Sequence, residues 1–319
     1  MNSGPQKIGI VGSGVVGNVL AAHLGKAGHA VCVLDVDTAV VEAINDHGIR
    51  IEGILELDGR VEMAVDSVQQ LAAFEPTLVV VCVKSTALER VTEDLADCGY
   101  DVPAVMSFQN GLDTEEVLAR RFPLERVFRG VVNYAGAKAG PNAVRMTFFH
   151  PPNHVGSLEP ESREAAEDIA ALITGAGLPM ERVDDIRNKV WRKAILNACL
   201  MPISVITRLS MNHIMGLPET RAIVVRLMKD FMAVARAEGH VYENDFVDNA
   251  LKYLDGSGGH KASMLMDFEA GNPLEIDYLN GRIQEYADRH RIPCETNRLL
   301  LSMVQGQLRH RDLARNGEG

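Results

Sequence analysis

The chain has 319 residues, of which 46% are hydrophobic and 24% are charged, and its formal net charge is −11. This length and composition predict a globular protein with room for two domains of ordinary size. The negative charge excludes a general nucleic-acid binder, because it repels phosphate and no run of Lys and Arg compensates for it. No apolar run approaches the ~20 residues that span a bilayer, so no membrane-spanning segment is expected.

The five cysteines are spread along the chain and form no CxxC pair. Cys32 and Cys82 lie within apolar runs, where cysteine is typically a small core residue. This pattern indicates reduced thiols in a cytosolic protein, and it offers no cluster of ligands for zinc. No segment near the N-terminus resembles a secretory signal. We therefore predict a cytoplasmic protein without a metal site.

The first predicted elements are a strand, a glycine turn, a helix and a second strand between Lys7 and Asp35. The turn has the sequence Gly12-Ser13-Gly14-Val15-Val16-Gly17. In this context the G-x-G-x-x-G pattern predicts dinucleotide binding, whereas by itself it indicates no more than a glycine turn. Gly12 permits the tight turn, Gly14 lets the backbone approach a pyrophosphate, and Gly17 lets the helix pack on the strand. The free N–H groups at the start of the helix then attract the phosphates.

Asp35 ends the second apolar run, 18 residues after Gly17. An acid at this point hydrogen-bonds the ribose hydroxyls of NAD and repels the 2′-phosphate of NADP. Asp37 adds a second negative charge nearby. The predicted cofactor is therefore NAD in preference to NADP.

The next residues predict a helix over 38–46 and a hairpin over 49–65, with turn signals at Gly53 and Asp58-Gly59. Three more apolar runs predict strands over 78–83, 105–108 and 127–132. These strands end in the polar residues Lys84, Asn110 and Asn133. Because ligands bind at the carboxyl ends of strands in open α/β sheets, we expect these side chains on the same rim as the glycine turn.

Residues 142–159 alternate and are expected to extend the sheet, and a helix and a short strand follow over 162–175 and 180–183. From residue 184 onward helical periodicity replaces strand signals. The predicted helices cover 185–201, 219–238, 263–270, a segment opening at Asn272, and 296–308. The sequence thus predicts an α/β protein with an N-terminal Rossmann-type parallel-sheet domain, 1–183, followed by an all-helical C-terminal domain, 184–319.

Lys189, Lys193 and Asn197 are spaced by four residues and share one face of the first of these helices. A lysine whose pKa is lowered by burial can donate a proton near neutral pH. A surface lysine is the commoner interpretation of the spacing by itself. Ser263 as a helix cap and Glu275 as an acid at the third helical position also have plain structural interpretations.

Taken together, these segments resemble the ketopantoate reductase family (2-dehydropantoate 2-reductases) over nearly the whole chain. The resemblance rests on the glycine turn, Gln109-Asn110-Gly111, Trp191-Arg192-Lys193 with Asn197, Ser263-Met264-Leu265-Met266-Asp267, and Glu275-Ile276-Asp277-Tyr278-Leu279-Asn280-Gly281. It implies an enzyme that reduces the carbonyl of a 2-oxo acid with a nicotinamide cofactor, in the first place 2-dehydropantoate to pantoate. It further implies that Lys193 is the general acid, that Ser263 holds the substrate carboxylate, and that Glu275 orients substrate and lysine. Asn110 would lie between nicotinamide and substrate, and Asn197 would bind substrate.

Two positions depart from the family pattern. Members that use NADPH usually have a basic or neutral polar residue where this chain has Asp35. The family often has a second asparagine four residues after the one that matches Asn197, and here that residue is Met201. Pro202 follows and leaves the carbonyl of Ala198 without its usual helical partner, which predicts a bend. A substrate-facing Met201 predicts a broader or more apolar range of substrates.

Two other functions remain open at this point. One is an NAD-dependent D-2-hydroxy-acid dehydrogenase on the same fold, acting on a bulkier branched or aromatic 2-oxo acid. The other is a nucleotide-binding sensor without turnover, against which the retained Lys193, Ser263 and Glu275 argue. The predicted partner is a small-molecule 2-oxo acid, and the apolar helices of the second domain are compatible with a homodimer.

Overall fold

The computed structural model of the protein describes residues 4–256 and 258–315. The chain folds into two compact units, Met1–Lys189 and Val190–Gly319. The division between them falls within the helix Ile186–Thr207. The domain boundary predicted near residue 184, between the cofactor-binding and the catalytic domain, lies just before this helix, and it stays a prediction.

An eight-stranded sheet forms the centre of the first unit. The strands of this unit, in chain order, are β1 (Lys7–Val11), β2 (Ala30–Leu34), β3 (Ile49–Gly53), β4 (Leu57–Gly59), β5 (Met63–Val65), β6 (Leu78–Val81), β7 (Val105–Ser107), β8 (Val127–Val131), β9 (Tyr134–Gly140), β10 (Ala143–Phe149), β11 (Asn153–Ser157) and β12 (Met180–Arg182). The large sheet has the order β12-β11-β8-β7-β6-β1-β2-β5, and within it only β8 and β11 pair antiparallel. The strand order therefore reverses between β1 and β6, which is the switch point where such sheets bind ligands.

Helices accompany this sheet, and its core extends over both of its faces. The helices are α1 (Val15–Lys26), α2 (Thr38–His47), α3 (Val68–Ala73), α4 (Leu88–Ala96), α5 (Thr114–Ala119) and α6 (Arg163–Gly175). Successive residues of β6 belong to different apolar clusters: Leu78 and Val80 to one, Val79 and Val81 to the other. Since side chains alternate along a strand, the two clusters lie on opposite faces. The Rossmann-type parallel-sheet architecture predicted for the first domain is confirmed.

A second, four-stranded sheet has the order β4-β3-β10-β9. The predicted hairpin is present as the antiparallel pair β3 and β4, but its turn lies at residues 54–56 and not at Asp58-Gly59, which are within β4. Gly59 is required for a different reason, since a Cβ there would collide with the backbone of Ala22 on α1. The prediction that residues 142–159 extend the main sheet is half wrong: β11 does so, whereas β10 pairs with β3 and β9.

The second unit is helical, and within residues 190–256 and 258–315 it contains no strand. The helices are α7 (Ile186–Thr207, which begins in the first unit), α8 (Met211–Gly216), α9 (Pro218–Ala237), α10 (Phe246–Asp255), α11 (Ser263–Glu269), α12 (Arg282–Arg289) and α13 (Glu295–Arg315). One π-helical turn, Asp277–Gly281, leads directly into α12. The helical second domain is thus confirmed, with a last helix longer than predicted.

The helix predicted to open at Asn272 begins instead at Ile276. Asn272 turns back toward the preceding helix, because its backbone N–H donates to the Asp267 carbonyl at 2.9 Å and its Nδ2 donates to the Asp267 carboxylate at 3.2 Å. The prediction that Asn272 is an N-cap and Glu275 the third helical residue is therefore wrong. Ser263 is likewise the first residue of α11 and not its cap, a position held by Ala262.

Helix α7 is, of the helices described, the one that is long and apolar enough to cross a membrane by length and composition. Its most apolar window has a mean hydropathy of 1.2, and 61% of that window is buried inside the protein. The expectation that no segment spans a membrane stays a prediction. Because the buried core helix of a globular protein has the same composition, the match is weak evidence for a membrane segment.

Candidate functional site

The glycine turn joins β1 to α1, and its three glycines have different surroundings. Gly12 has a φ of +101°, and a Cβ there would lie 2.9 Å from the backbone nitrogen of Val83. A Cβ on Gly17 would collide with the carbonyl oxygen of Gly12. At Gly14 a Cβ would meet no atom within 4 Å, so the space above the start of α1 is open. This open backbone at a helix N-terminus fits the pyrophosphate of a dinucleotide.

Asp35 is bound directly to this turn. Its Oδ2 accepts the backbone N–H of the buried Ser13 at 2.9 Å and also the Ser13 hydroxyl, while its Oδ1 accepts the backbone N–H of Asp37 at 3.1 Å. The carboxylate is thereby held at the carboxyl end of β2, beside the turn. Asp37 has another role, since its side chain caps α2 by accepting the Ala39 N–H at 3.1 Å. Of the two acids, Asp35 is thus the one held against the glycine turn.

Two residues that sequence reasoning missed support the turn from below. Asn18 is fully buried, and its Nδ2 donates to the Ser13 carbonyl at 3.0 Å. The Tyr134 hydroxyl donates to the Val16 carbonyl at 2.9 Å, while Val15 and Val16 pack against the core. A single amide in the otherwise apolar first turns of α1 was a signal that could have identified Asn18. Nothing local marked Tyr134, because it lies 118 residues from Val16.

The ends of β6 and β7 come together next to the glycine turn, as predicted. Lys84 is exposed, and the hydroxyl of the adjacent Ser85 donates to the Asn110 carbonyl at 2.9 Å. The Oδ1 atom of Asn110 is buried and accepts no hydrogen bond. A buried amide oxygen left in this way fits a site that binds a polar group of a ligand. Asn133 differs, because its Nδ2 donates to the Pro152 carbonyl at 2.6 Å and holds a turn.

A buried ion pair beneath Gln109-Asn110-Gly111 was also missed. The Arg129 Nε and a Glu115 carboxylate oxygen lie 3.0 Å apart, and their side chains are 2% and 3% exposed. The guanidinium donates to the carbonyls of Gln109 at 2.9 Å and Gly111 at 3.0 Å, on either side of Asn110. Burial raises the pKa of Glu115 and lowers the pKa of Arg129, while the charge of each partner shifts the pKa of the other in the opposite direction to burial. An arginine inside an apolar strand was the available signal, since such a group is rarely buried unless paired.

In the second unit, Lys193, Asn197 and Met201 are half-buried residues of α7 at successive four-residue steps. The residues just before Lys193 are firmly anchored. Trp191 is buried against Tyr286 and His240, with ring centroids 5.3 and 5.2 Å away. Such anchoring sets the rotation of this part of α7 and hence the face on which Lys193 lies.

Arg192, the other neighbour of Lys193, pairs with Glu243 at 2.8 Å and lies over the Phe246 ring at 4.7 Å. Lys189 belongs to the first unit, where its charge adds to burial in lowering the pKa of His154. The two lysines of the predicted face therefore have different surroundings.

Ser263 and Glu275 are both half-buried in the second unit. Because neither occupies the capping position that the sequence suggested, the structural interpretations offered for them do not hold. Within residues 4–256 and 258–315, no three His, Cys, Asp or Glu side chains are grouped so as to hold a metal ion.

An open glycine turn at the switch point of a Rossmann-type sheet, with an acid fixed at the end of the second strand, defines a dinucleotide-binding domain of the kind that nicotinamide-dependent oxidoreductases use. The chain belongs to the ketopantoate reductase family. Residues 8–160 match the family described as Ketopantoate reductase PanE/ApbA, and residues 185–308 match its C-terminal counterpart. The protein is a 2-dehydropantoate 2-reductase-like oxidoreductase.

Proteins that are similar in sequence over nearly their whole length are named 2-dehydropantoate 2-reductase. The 2-dehydropantoate 2-reductase of Archaeoglobus fulgidus is 29% identical over 301 residues, and the one of Mesorhizobium japonicum is 30% identical over 322. Each alignment covers 94% of this chain and 97% of the relative.

Solved structures share the fold. A PanE/ApbA family ketopantoate reductase from Ralstonia eutropha JMP134 superimposes with a TM-score of 0.84 at 28% identity, covering 94% of this chain and 97% of that one. A D-mandelate dehydrogenase solved with NADH and anilino(oxo)acetate superimposes with a TM-score of 0.87 at 21% identity, covering 95% and 98%.

Proposed function

We propose that this protein reduces the carbonyl of a 2-oxo acid with NADH, and that 2-dehydropantoate is the first substrate to test. The observation that carries the proposal is Lys193 itself, a half-buried lysine on a helix whose preceding side chains are anchored. Glu275 fits it, because this acid is half-buried and lies just before the π-helical turn, outside the first turn of a helix. A homodimer remains a prediction, which sedimentation equilibrium would test.

The chemistry divides between cofactor and protein. When bound, NADH supplies the hydride that adds to the carbonyl carbon, and it leaves as NAD⁺. Negative charge develops on the carbonyl oxygen, where the Lys193 ammonium stabilises it and donates a proton from Nζ to give the 2-hydroxy acid. Ser263 binds the substrate carboxylate, Asn197 binds the substrate, and Glu275 orients the substrate and Lys193.

The residues for the cofactor lie in the first unit. Gly12, Gly14 and Gly17 with the intervening Ser13, Val15 and Val16 form the pyrophosphate site. Asp35 hydrogen-bonds the adenosine ribose, and Asn110 with its unpaired Oδ1 binds toward the nicotinamide end. Lys84 adds the positive charge of the rim. Because the Asp35 carboxylate is held in place by Ser13, it cannot turn away from a 2′-phosphate without losing two hydrogen bonds, which supports NAD over NADP.

A second candidate is an NAD-dependent D-2-hydroxy-acid dehydrogenase acting on a bulkier branched or aromatic 2-oxo acid. The observation that favours it is Met201, half-buried two helical steps beyond Lys193. A thioether offers a substrate hydroxyl none of the paired hydrogen bonding of an amide. Loss of such a partner weakens discrimination for a hydroxylated substrate, and an apolar pocket gains only ~1–3 kcal/mol per methylene in exchange.

The test follows oxidation of NADH by its absorbance in the presence of a panel of 2-oxo acids. Lys193→Ala should lower kcat by ~10²- to 10⁴-fold, the usual contribution of a general acid, while the affinity for NADH stays the same. Lys189→Ala is the matched control, one turn earlier on the same helix, and should keep a rate close to wild type.

If Lys193→Ala keeps more than about a tenth of the wild-type rate, another group donates the proton, since a loss of less than about tenfold is smaller than a general acid usually contributes. Binding of NADH without turnover of any 2-oxo acid would instead favour the nucleotide sensor.

A further inference from the structure

Pro202 lies inside α7 and has no N–H to donate to the carbonyl of Ala198, four residues earlier. The structure shows that this carbonyl is nevertheless paired. The Nδ2 atom of Asn280 donates to it at 3.0 Å, and both residues are completely buried. A side chain 82 positions away in sequence thus replaces the missing helical donor.

Asn280 is itself held rigidly. Its Nδ2 also donates to the Oδ1 of Asn297 on α13 at 2.8 Å, and the Asn297 amide donates back to the Asn280 carbonyl at 2.9 Å. The Asn297 amide also donates to Gln284 on α12 at 3.1 Å. Turning the Asn280 amide over would place its oxygen against two acceptors, so only one orientation pairs these carbonyl oxygens, and it leaves the buried Oδ1 of Asn280 without a hydrogen bond. A buried network of this kind specifies one arrangement of the helices that it joins.

The positions of Ala198 and Asn280, which this hydrogen bond joins, matter for the proposed chemistry. Ala198 directly follows Asn197 and is five residues after Lys193, while Asn280 is five residues after Glu275. Asn280 lies in the π-helical turn that continues from the segment of Glu275. The bond from Asn280 to Ala198 therefore joins the segment of Glu275 to α7 at the residue that follows Asn197, little more than one turn beyond Lys193.

We propose that Asn280 is a positioning residue, which fixes Glu275 relative to the Lys193 face of α7 by pairing the carbonyl that Pro202 leaves open. This inference rests on the roles proposed for Lys193 and Glu275. It explains how a proline can occur within this helix, since an interior proline otherwise leaves an unpaired carbonyl and kinks the helix.

A double-mutant cycle between Asn280 and Pro202 tests the inference. Asn280→Leu removes the donor at similar volume, and in a Pro202→Ala background the new backbone N–H can pair with Ala198 instead. Asn280→Leu should lower kcat about tenfold or more in the wild-type background, because a misplacement of ~1 Å can cost ~10²-fold. It should lower kcat by at most about threefold in the Pro202→Ala background, and the stability loss measured by urea unfolding should shrink in parallel.

Two further readouts separate positioning from mere support of the fold. The KM for NADH should stay unchanged, and the alkaline limb of the pH profile of kcat should move when Asn280→Leu is made in the wild-type background and stay in place when it is made in the Pro202→Ala background. Asn153→Leu is the matched control: Asn153 is also completely buried and donates to the Pro179 carbonyl at 3.0 Å, in the first unit. It should lower stability by an amount that does not depend on residue 202.

An equal loss of kcat and stability from Asn280→Leu in both backgrounds, or failure of both variants to fold, would overturn the inference. If only the single variant fails to fold and the double variant folds, the inference is supported. Absence of turnover by the wild type would remove the proposed function alone, because the stability arm of the cycle still measures the coupling of Asn280 to Pro202.

Discussion

Arg129→Met tests whether the buried ion pair with Glu115 holds the loop that carries Asn110. The substitution leaves the Glu115 carboxylate, 3% exposed, without its counter-charge. Breaking such a pair from one side typically costs about 3–5 kcal/mol. The carbonyls of Ser107, Gln109, Gly111 and Gly130 also lose a donor. Each unpaired buried group costs about 1–3 kcal/mol before relaxation, so we expect a loss of at least ~4 kcal/mol in the free energy of unfolding.

The loss should depend on pH in a defined direction. Burial already raises the pKa of Glu115 in the folded protein, and removal of Arg129 takes away the charge that opposes this rise. A carboxyl whose pKa is higher in the folded than in the unfolded state binds its proton more tightly when folded. The loss in the free energy of unfolding that comes from the buried Glu115 charge is therefore absent below the pKa of the unfolded state, about 4.3, and grows as the pH rises toward the pKa of the folded state. The variant should differ less from wild type at about pH 5 than at about pH 8.

Urea unfolding followed by circular dichroism at both pH values measures the effect. The double variant Glu115→Leu/Arg129→Met should recover most of the stability that is lost through the unpaired Glu115 charge, because replacing a buried ion pair by apolar residues is often neutral. Arg187→Met is the matched control, since Arg187 pairs with the neighbouring Glu116 at 2.5 Å but the two are 53% and 48% exposed. It should cost at most about 1 kcal/mol. A loss below about 1 kcal/mol for Arg129→Met, the size of an exposed pair, or an equal loss at both pH values would refute the reasoning.

Asp35, Met201 and Glu275 provide three further tests. Asp35→Asn should raise the ratio of catalytic efficiency with NADPH to that with NADH by about tenfold or more, because the variant has no negative charge to repel the 2′-phosphate of NADPH. Equal efficiency with both cofactors in the wild type would contradict this. Met201→Asn should shift kcat/KM toward 2-dehydropantoate and away from a branched or aromatic 2-oxo acid by about tenfold, and an unchanged ratio would make Met201 a packing residue. Glu275→Ala should raise KM for the 2-oxo acid and lower kcat together, since an orienting residue acts on both bound substrate and transition state; a change in kcat alone would rule out that role.

The sequence by itself determined the elements whose cause is local. Gly12, Gly14 and Gly17 predicted the dinucleotide turn because their spacing is local: Gly12 has a φ of +101°, and a Cβ on Gly17 would collide with the Gly12 carbonyl. The valine run of β6 predicted a strand buried on both faces, since a continuous apolar run permits no solvent-facing side. The position of Asp35 at a strand end predicted its place beside the turn, and Ser13 indeed binds it.

Where two local patterns compete, the sequence did not decide between them. Asn272-Pro273 has the composition of a helix start, but Asn272 bonds back to Asp267, and the next helix begins four residues later. Asp58-Gly59 has the composition of a turn, but Gly59 serves the close approach of α1. In both cases a contact with another element outweighs the local preference, which is worth at most about 1–2 kcal/mol for a cap.

Only the tertiary structure decided how the buried polar groups are paired. Arg129 and Asn280 are both buried, and each is stable there because residues distant in sequence supply its partners: Glu115 for the first, Ala198 and Asn297 for the second. Which residue becomes the partner depends on strand order and helix packing, which no local pattern encodes. A buried charge or amide must be paired, so the sequence shows that a partner exists, and the fold determines which residue it is.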